Sequence, residues 1–146
     1  MSWAEMSRIN SDLTTPLNEL IENSYYLYAS DNTLTEVHNQ EISSPNSWLT
    51  VKTVTARYKG ALRLAVATQT KNSTGGSIRL TINDVTRISW TDSGGSSGSP
   101  TSHEHKVDFS VNAGDVIKIE GMNRIDLLEG YIQGTIGIGG QALSEQ

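Results

Sequence analysis

The sharpest chemical feature of this 146-residue sequence is His103-Glu104-His105. Successive side chains of a β-strand point to opposite faces, so His103 and His105 share one side and lead on to Val107 and Phe109. Imidazoles at that spacing suit Fe, Zn or Ni, and about a threefold axis three such pairs would offer six nitrogens to one ion. Two other readings stand beside the metal: a ligand-facing or pH-sensitive pair, and an ordinary polar strand end following a Gly/Ser loop. His38 has no partner in view and reads as solvated.

Exposed aromatics beside polar side chains are the usual means of holding a sugar. Trp90 and Tyr58 fit that pattern, standing near strand ends beside Asp92 and Arg57. The competing reading makes both of them core or interface residues. The stretch Asp92–Ser102 is either a binding tip or a mobile connection. Catalysis is harder to assemble. Asp84, Asp115 and Asp126 fall where turns are expected, a placement that local hydrogen bonding explains. No Gly-x-Ser-x-Gly occurs, and Gly137-Ile-Gly139-Gly140 lacks the strand-to-helix setting of a dinucleotide loop. No catalytic residue is assigned and an enzyme is not expected. Asn72-Ser-Thr74 matches a glycosylation sequon but reads as a turn.

Composition narrows the class. A net charge of -5 and a pI near 5.1, with 11 basic residues scattered along the chain, argue against nucleic acid as a partner. Cysteine is absent, which removes disulfides, thiolate metal sites and Cys nucleophiles together. No apolar run approaches the ~18 residues of a membrane span, and no secretory leader pattern opens the chain, so synthesis in a reducing cytoplasm is expected and no membrane partner is.

The elements that must position these residues change character along the chain. Ser2 and Glu5 form a capping box, and Thr15-Pro16 is a second helix start, which predicts helices over residues 3–11 and 16–28. Trp3, Met6, Leu13, Leu17, Leu20 and Leu27 recur at spacings of three and four, with Asn10 and Ser24 taking the polar turns. That is a heptad seam, suited to a partner helix, in which Asn10 could set register. Packing of the same stripe within the chain is the alternative. Residues 29–47 read as a polar extended connector.

From Trp48 the period becomes two. Leu62, Leu64 and Val66 share a face opposite Arg63, Ala65 and Ala67; Ile78, Leu80 and Ile82 share another; Val107, Phe109 and Val111 a third. KNSTGG (71–76), Asn83-Asp84, SGGSSGSP (93–100) and Asn112-Ala-Gly114 punctuate the segments. Seven or eight short strands with regular turns predict an antiparallel sandwich or barrel with an aliphatic core. The resulting organisation is a helical attachment or oligomerisation segment (1–28), a connector (29–47), a β-sandwich (48–140) and a tail (141–146).

The opening SWAEMSRINSDLTTPLNELI resembles the N-termini of virion structural proteins of phages and prophages from Gram-positive bacteria. SIRLTIND and VDFSVNAGDVIKIEG resemble strand-turn-strand units of trimeric jelly rolls of the tumour-necrosis-factor/complement-like kind. In such units the Ala113-Gly114-Asp115 corner turns the chain, with Gly114 supplying the backbone freedom. The resemblance implies a mainly β jelly roll behind a helical clamp, assembled as a homotrimer with other virion proteins. Its expected place is a tail, baseplate or head appendage that touches host-surface glycan. It also implies the setting for His103 and His105, since similar His-x-His pairs hold axial metal in phage fibre tips. A capsid decoration protein and a small carbohydrate-binding module are the alternatives.

Overall fold

The period-two pattern becomes strands because alternate side chains can then enter one shared interior. The protein, described here as a computed structural model over residues 26–137 and 140–145, is mainly β, with no helix among the described residues. Its strands are β1 (Leu27–Ala56), β2 (Gly60–Thr70), β3 (Asn72–Ile82), β4 (Val85–Ser96), β5 (Ser99–Val111), β6 (Val116–Ile136) and β7 (Leu143–Glu145).

Pairing is antiparallel except for a single parallel contact of Leu27 with Gly60. Two layers are built around the two long strands. In one, β5 pairs with β2, β2 with the second half of β6, and that half with the start of β1. In the other, β4 pairs with β3, β3 with the first half of β6, and that half with the end of β1, which β7 flanks. The long strands cross between layers at a break in register between Ser44 and Leu49. There Asn46 and Asn123 both adopt positive φ, and the Asn46 N–H donates to Asn123 Oδ1 at 2.9 Å. Irregularities of this kind let a strand turn a corner between sheets.

Strand β2 shows the resulting division. Gly60, Leu62, Leu64, Val66, Thr68 and Thr70 are buried, while the residues between them face outward. Leu62, Leu64, Ile78, Leu80, Ile117, Ile119, Leu127 and Ile132 make the fully buried centre. Each such side chain contributes about 1.5–3 kcal/mol relative to exposure. Phe109 is the one aromatic among the buried core residues, in keeping with the aliphatic interior expected.

The turns follow their chemistry. Asn83 and Asp84 both have positive φ (53° and 65°) and close a two-residue hairpin between Ile82 and Val85, the geometry that matches strand twist. Gly114 takes φ 89° at the expected corner, and its N–H donates to the Ala56 carbonyl at 2.7 Å.

Several sequence boundaries move. Residues 29–47 are no separate connector: they belong to β1, which already begins at Leu27. Their alternation is hidden in the sequence because register shifts between Tyr28 and Thr33, and between Thr33 and Thr35, break the period. Leu27 is fully buried in the sheet rather than placed on a helical seam, so the expected helix cannot extend to residue 28. The seam positions Trp3, Met6, Asn10, Leu13, Leu17 and Leu20 lie outside the described residues. The stretch SGGSSGSP is mostly hairpin, with Gly95 paired to Pro100 and Ser96 to Ser99. The tail adds β7, and β1 and β6, at 30 and 21 residues, are far from short.

Candidate ligand-binding trough

Four of the residues singled out in the sequence meet at one end of the interior. Strand β2 sends Thr68 and Thr70 inward, and its register with β5 sets Thr68 opposite His103 and Val66 opposite His105. From β4, Asp92 enters between the layers with 5% exposure. His105 Nε2 lies 2.8 and 3.0 Å from the two Asp92 oxygens, and the Thr68 hydroxyl donates to Asp92 Oδ2 at 2.7 Å. His103 Nε2 pairs instead with Thr70 Oγ1 at 3.0 Å, leaving its Nδ1 4.0 Å from Asp92. The Trp90 ring stacks on His105 with centroids 4.5 Å apart and planes 9° from parallel. β4 and β5 hydrogen-bond through their backbones only at the hairpin tip, so these side chains join the two layers across an otherwise open side. Arg87 reaches Ser110 along the same opening.

This placement corrects the axial-metal expectation. His103 and His105 face the interior of their own sandwich and are held by different partners. Among the described residues no group of three His, Asp or Glu side chains is arranged to hold a metal ion. It also lays one face of the Trp90 ring against His105 and leaves Asp92 only 5% exposed. Tyr58 stands before the far end of β2 and packs against the core, apart from the other three. His38 is not simply solvated: it lies 3.3 Å from Glu36 and meets the Tyr131 ring edge-on at 5.6 Å.

A different site lies on the outer face of the β5–β2–β6–β1 layer. Pairing sets its rows. Glu104, Ala67, Glu129 and His38 stand side by side; so do Lys106, Ala65, Tyr131 and Glu36; so do Asp108, Arg63, Gln133 and Thr33. The small side chains of Ala65 and Ala67 make a floor, and their taller neighbours make the walls of a concave space of about 450 Å³. That is within the range of small-molecule sites.

The hydrogen-bonding state of this trough is uneven. Arg63 donates to Asp31 at 2.6 Å and to Asp108 at 2.7 Å, and this bonding holds both carboxyls below the usual Asp range. Lys106 stands 3.7 Å from the same Asp31. Burial pushes the Tyr131 phenol above its usual value, with the Glu129 charge and hydrogen bond adding to it. Gln133 is only 8% exposed; its amide NH2 reaches Thr33 at 3.4 Å, and its Oε1 has no partner among the described residues. The trough thus offers an aromatic ring, a methyl-lined floor, two carboxylates at Glu104 and Glu129, and the Lys106 ammonium.

The opposite outer face carries similar residues in a closed arrangement. Arg79 stacks over Trp48 at 4.2 Å and bonds Glu120 at 2.8 Å, and Glu120 accepts from the Thr50 hydroxyl at 2.7 Å.

Sequence reasoning missed the trough, although its signal was present. Ala65 and Ala67 were placed on the face opposite Leu64 and Val66, and small residues on a solvent face mark a depression. What was missing was the register that sets Tyr131 and Glu129 beside them, more than sixty positions away in the chain.

No protein-family model matches the chain, and no curated protein matches it in sequence. Among solved structures, latent dimeric PorU from Porphyromonas gingivalis is 14% identical with a TM-score of 0.49, matching 75% of this chain but spanning only 12% of PorU. A carbohydrate-binding module from Cellvibrio mixtus lichenase 5A, solved with cellotriose, is 13% identical over 77% of this chain and 98% of its own, with a TM-score of 0.42. Murine APRIL is 12% identical over 66% and 99%, also at 0.42. These likenesses are to β-rich sandwich folds.

Proposed function

We propose that this chain is a non-enzymatic saccharide-recognition module whose ligand lies in the trough on the β5–β2–β6–β1 face. The observation that carries this reading is Tyr131 standing beside the Ala65–Ala67 floor with the Glu104 and Glu129 carboxylates lining the same concave space. A pyranose presents an apolar C–H face and a rim of hydroxyls. The ring and the methyl floor take the first, and the Glu104 and Glu129 carboxylates take the second. No covalent step is required of any residue. The test is glycan-array binding by the intact protein, followed by Tyr131→Ala. Saccharide binding that disappears with the ring, while circular dichroism stays native, supports the trough; binding indifferent to Tyr131 sinks it.

A second reading is favoured by the N-terminal seam of Trp3, Met6, Asn10, Leu13, Leu17 and Leu20. In it the same module is the displayed part of a homotrimeric virion appendage, and repetition of a weak site strengthens attachment through avidity. The capsid-decoration form of this reading keeps the β domain but leaves the N-terminal arm unable to trimerise alone. Light scattering on the full chain and on a form lacking residues 1–25, which precede the sheet, separates them. A trimer lost on truncation supports the appendage, and a monomer in both forms removes the self-assembling spike.

A further inference from the structure

The sandwich has two open sides, and they are closed by different means. On the β4–β5 side the Asp92 cluster joins the layers. On the other side the first half of β1 is the margin of one layer, and β7, beside the second half of β1, is the margin of the other. β7 pairs Leu143 with Ala56, Ser144 with Thr55 and Glu145 with Val54, and has no other strand neighbour among the described residues. Ala142 and Leu143 are buried in the same core as Val54 and Ala56, and the Ala142 carbonyl accepts from the Arg57 N–H at 2.9 Å. Glu145 then reaches both margins at once. Its carboxylate stands 3.2 Å from Lys52 Nζ and accepts from the Thr35 hydroxyl, on a residue only 5% exposed. A single carboxylate therefore completes a buried hydroxyl from one half of β1 and pairs an ammonium from the other.

We infer that the β1 edge from Lys52 to Ala56 is a strand-docking slot, filled in this structure by residues 142–145 of the same chain, and that two copies of the protein join by exchanging those residues. The slot defines what it accepts. The backbone must be extended to pair with the edge, an apolar pair must enter the interior, and an acid must follow two positions later to meet Lys52 and Thr35. Ala142-Leu143-Ser144-Glu145 meets all three conditions, and the same segment of a second copy is chemically identical. Withdrawal breaks few pairs, because β7 is three residues long and touches one strand. Gly140 takes φ 136° with open space where a side chain would stand, so the backbone ahead of β7 is free to change direction. Exchange restores every contact of the slot. It gives up only the advantage of an attached occupant, an effective concentration on the order of mM for a short link. This mode of assembly depends neither on the saccharide reading nor on the N-terminal seam.

The test uses two full-length variants whose charges clash within each copy and match between copies. Lys52→Glu sets two carboxylates against each other, and Glu145→Lys sets two ammoniums. In a one-to-one mixture, mutual exchange restores an opposite pair in both slots. Light scattering on a sizing column should then show a dimer, at least about tenfold more abundant than either variant forms alone. Adding Leu143→Asp to both variants should abolish it, because the apolar anchor is lost. A mixture that stays monomeric overturns the exchange. So does a dimer that each variant forms equally well alone, or one that survives Leu143→Asp. A second measurement leaves the charges untouched, in case either variant loses its native circular dichroism. The chain has no cysteine, so Thr55→Cys in one copy and Ser144→Cys in another can be joined only between copies. Incubated together near mM concentration and then oxidised, they should give a disulfide-linked heterodimer in excess of its random share. A random distribution of linked species, or none, overturns the slot.

Discussion

The two outer faces of this sandwich are built from the same kinds of residue and end in opposite states. On one, Trp48, Arg79, Glu120 and Thr50 satisfy one another in a chain of stacking and hydrogen bonds. On the other, Tyr131, Glu129, Glu104 and Lys106 surround a depression, and Lys106 comes no nearer than 3.7 Å to Asp31. An aromatic beside charged residues is therefore no sign of a binding site by itself. What distinguishes the faces is whether hydrogen-bonding capacity is left over once the protein has used what it needs. The Asp92 cluster belongs with the closed face in this respect, since its carboxylate is taken by Thr68 and His105.

The contrast predicts that closed groups govern stability and open ones govern binding. The largest effect is expected at Asp92. Replacing it by Ala strips partners from the buried Thr68 hydroxyl and from His105, and should cost about 2–3 kcal/mol in chemical denaturation without altering saccharide affinity. A loss of binding at unchanged stability would move Asp92 to the open set. Glu120→Ala leaves the Arg79 guanidinium without its carboxylate on a face where Glu120 is 8% exposed. It should cost about 2 kcal/mol, read as a fall in melting temperature of roughly 2–4 °C per kcal/mol.

Tyr131→Ala tests the other side of the comparison: affinity should drop about tenfold, or ~1.4 kcal/mol, with a smaller stability change than either closed-face variant. Acid titration gives a broader and shallower effect. Asp31, Asp84 and Asp108 are held below their ordinary value of 3.8 mainly by hydrogen bonds to Arg63 or Lys118, and Glu145 below 4.5 by Thr35 and then Lys52. Depressed carboxyls stabilise the fold above their unfolded values and lose that contribution as pH falls through the folded ones. The denaturant midpoint should thus be flat near neutrality and decline from about pH 4.5 downward. A midpoint unchanged down to pH 2 would contradict these pairings. The smallest effect is spectroscopic. Glu129→Gln removes a charge and an acceptor from Tyr131, so its phenol should ionise at lower pH than in the parent protein, seen as a shift in one component of tyrosinate absorbance.

Much of the fold was legible because its signals are local. The inward set of β2, the Asn83-Asp84 hairpin and the Gly114 corner each follow from a few neighbouring residues. Residues 29–47 were not, because bulges reset the alternation every few positions and the inward-facing partner at Thr35 is itself polar. The site divided in the same way. The His-x-His spacing correctly put both imidazoles on one side of a strand, but nothing local says whether that side is an axis, a solvent face or an interior. Asp92 decided it from β4, and Tyr131 came to Ala65 from β6. Cross-strand neighbours at long range are set by global register, which single-sequence patterns do not encode.

The bridging of both layers by β1 and β6 also sets a timetable. The β3–β4 hairpin can close as soon as Trp90 has followed Ile78, since its contacts are a few residues apart. Strand β1, made before all the others, pairs along nearly its whole length with β6, from Thr55 with Val116 to Leu27 with Ile136. Until that late strand emerges, the first one has neither of its layers complete and must wait unpaired. Assembly is therefore expected to be slow and limited by this single long-range closure, with hairpins preceding it. The polar surface of residues 29–47, costly to the sequence pattern, keeps the waiting strand from pairing with other chains during that interval.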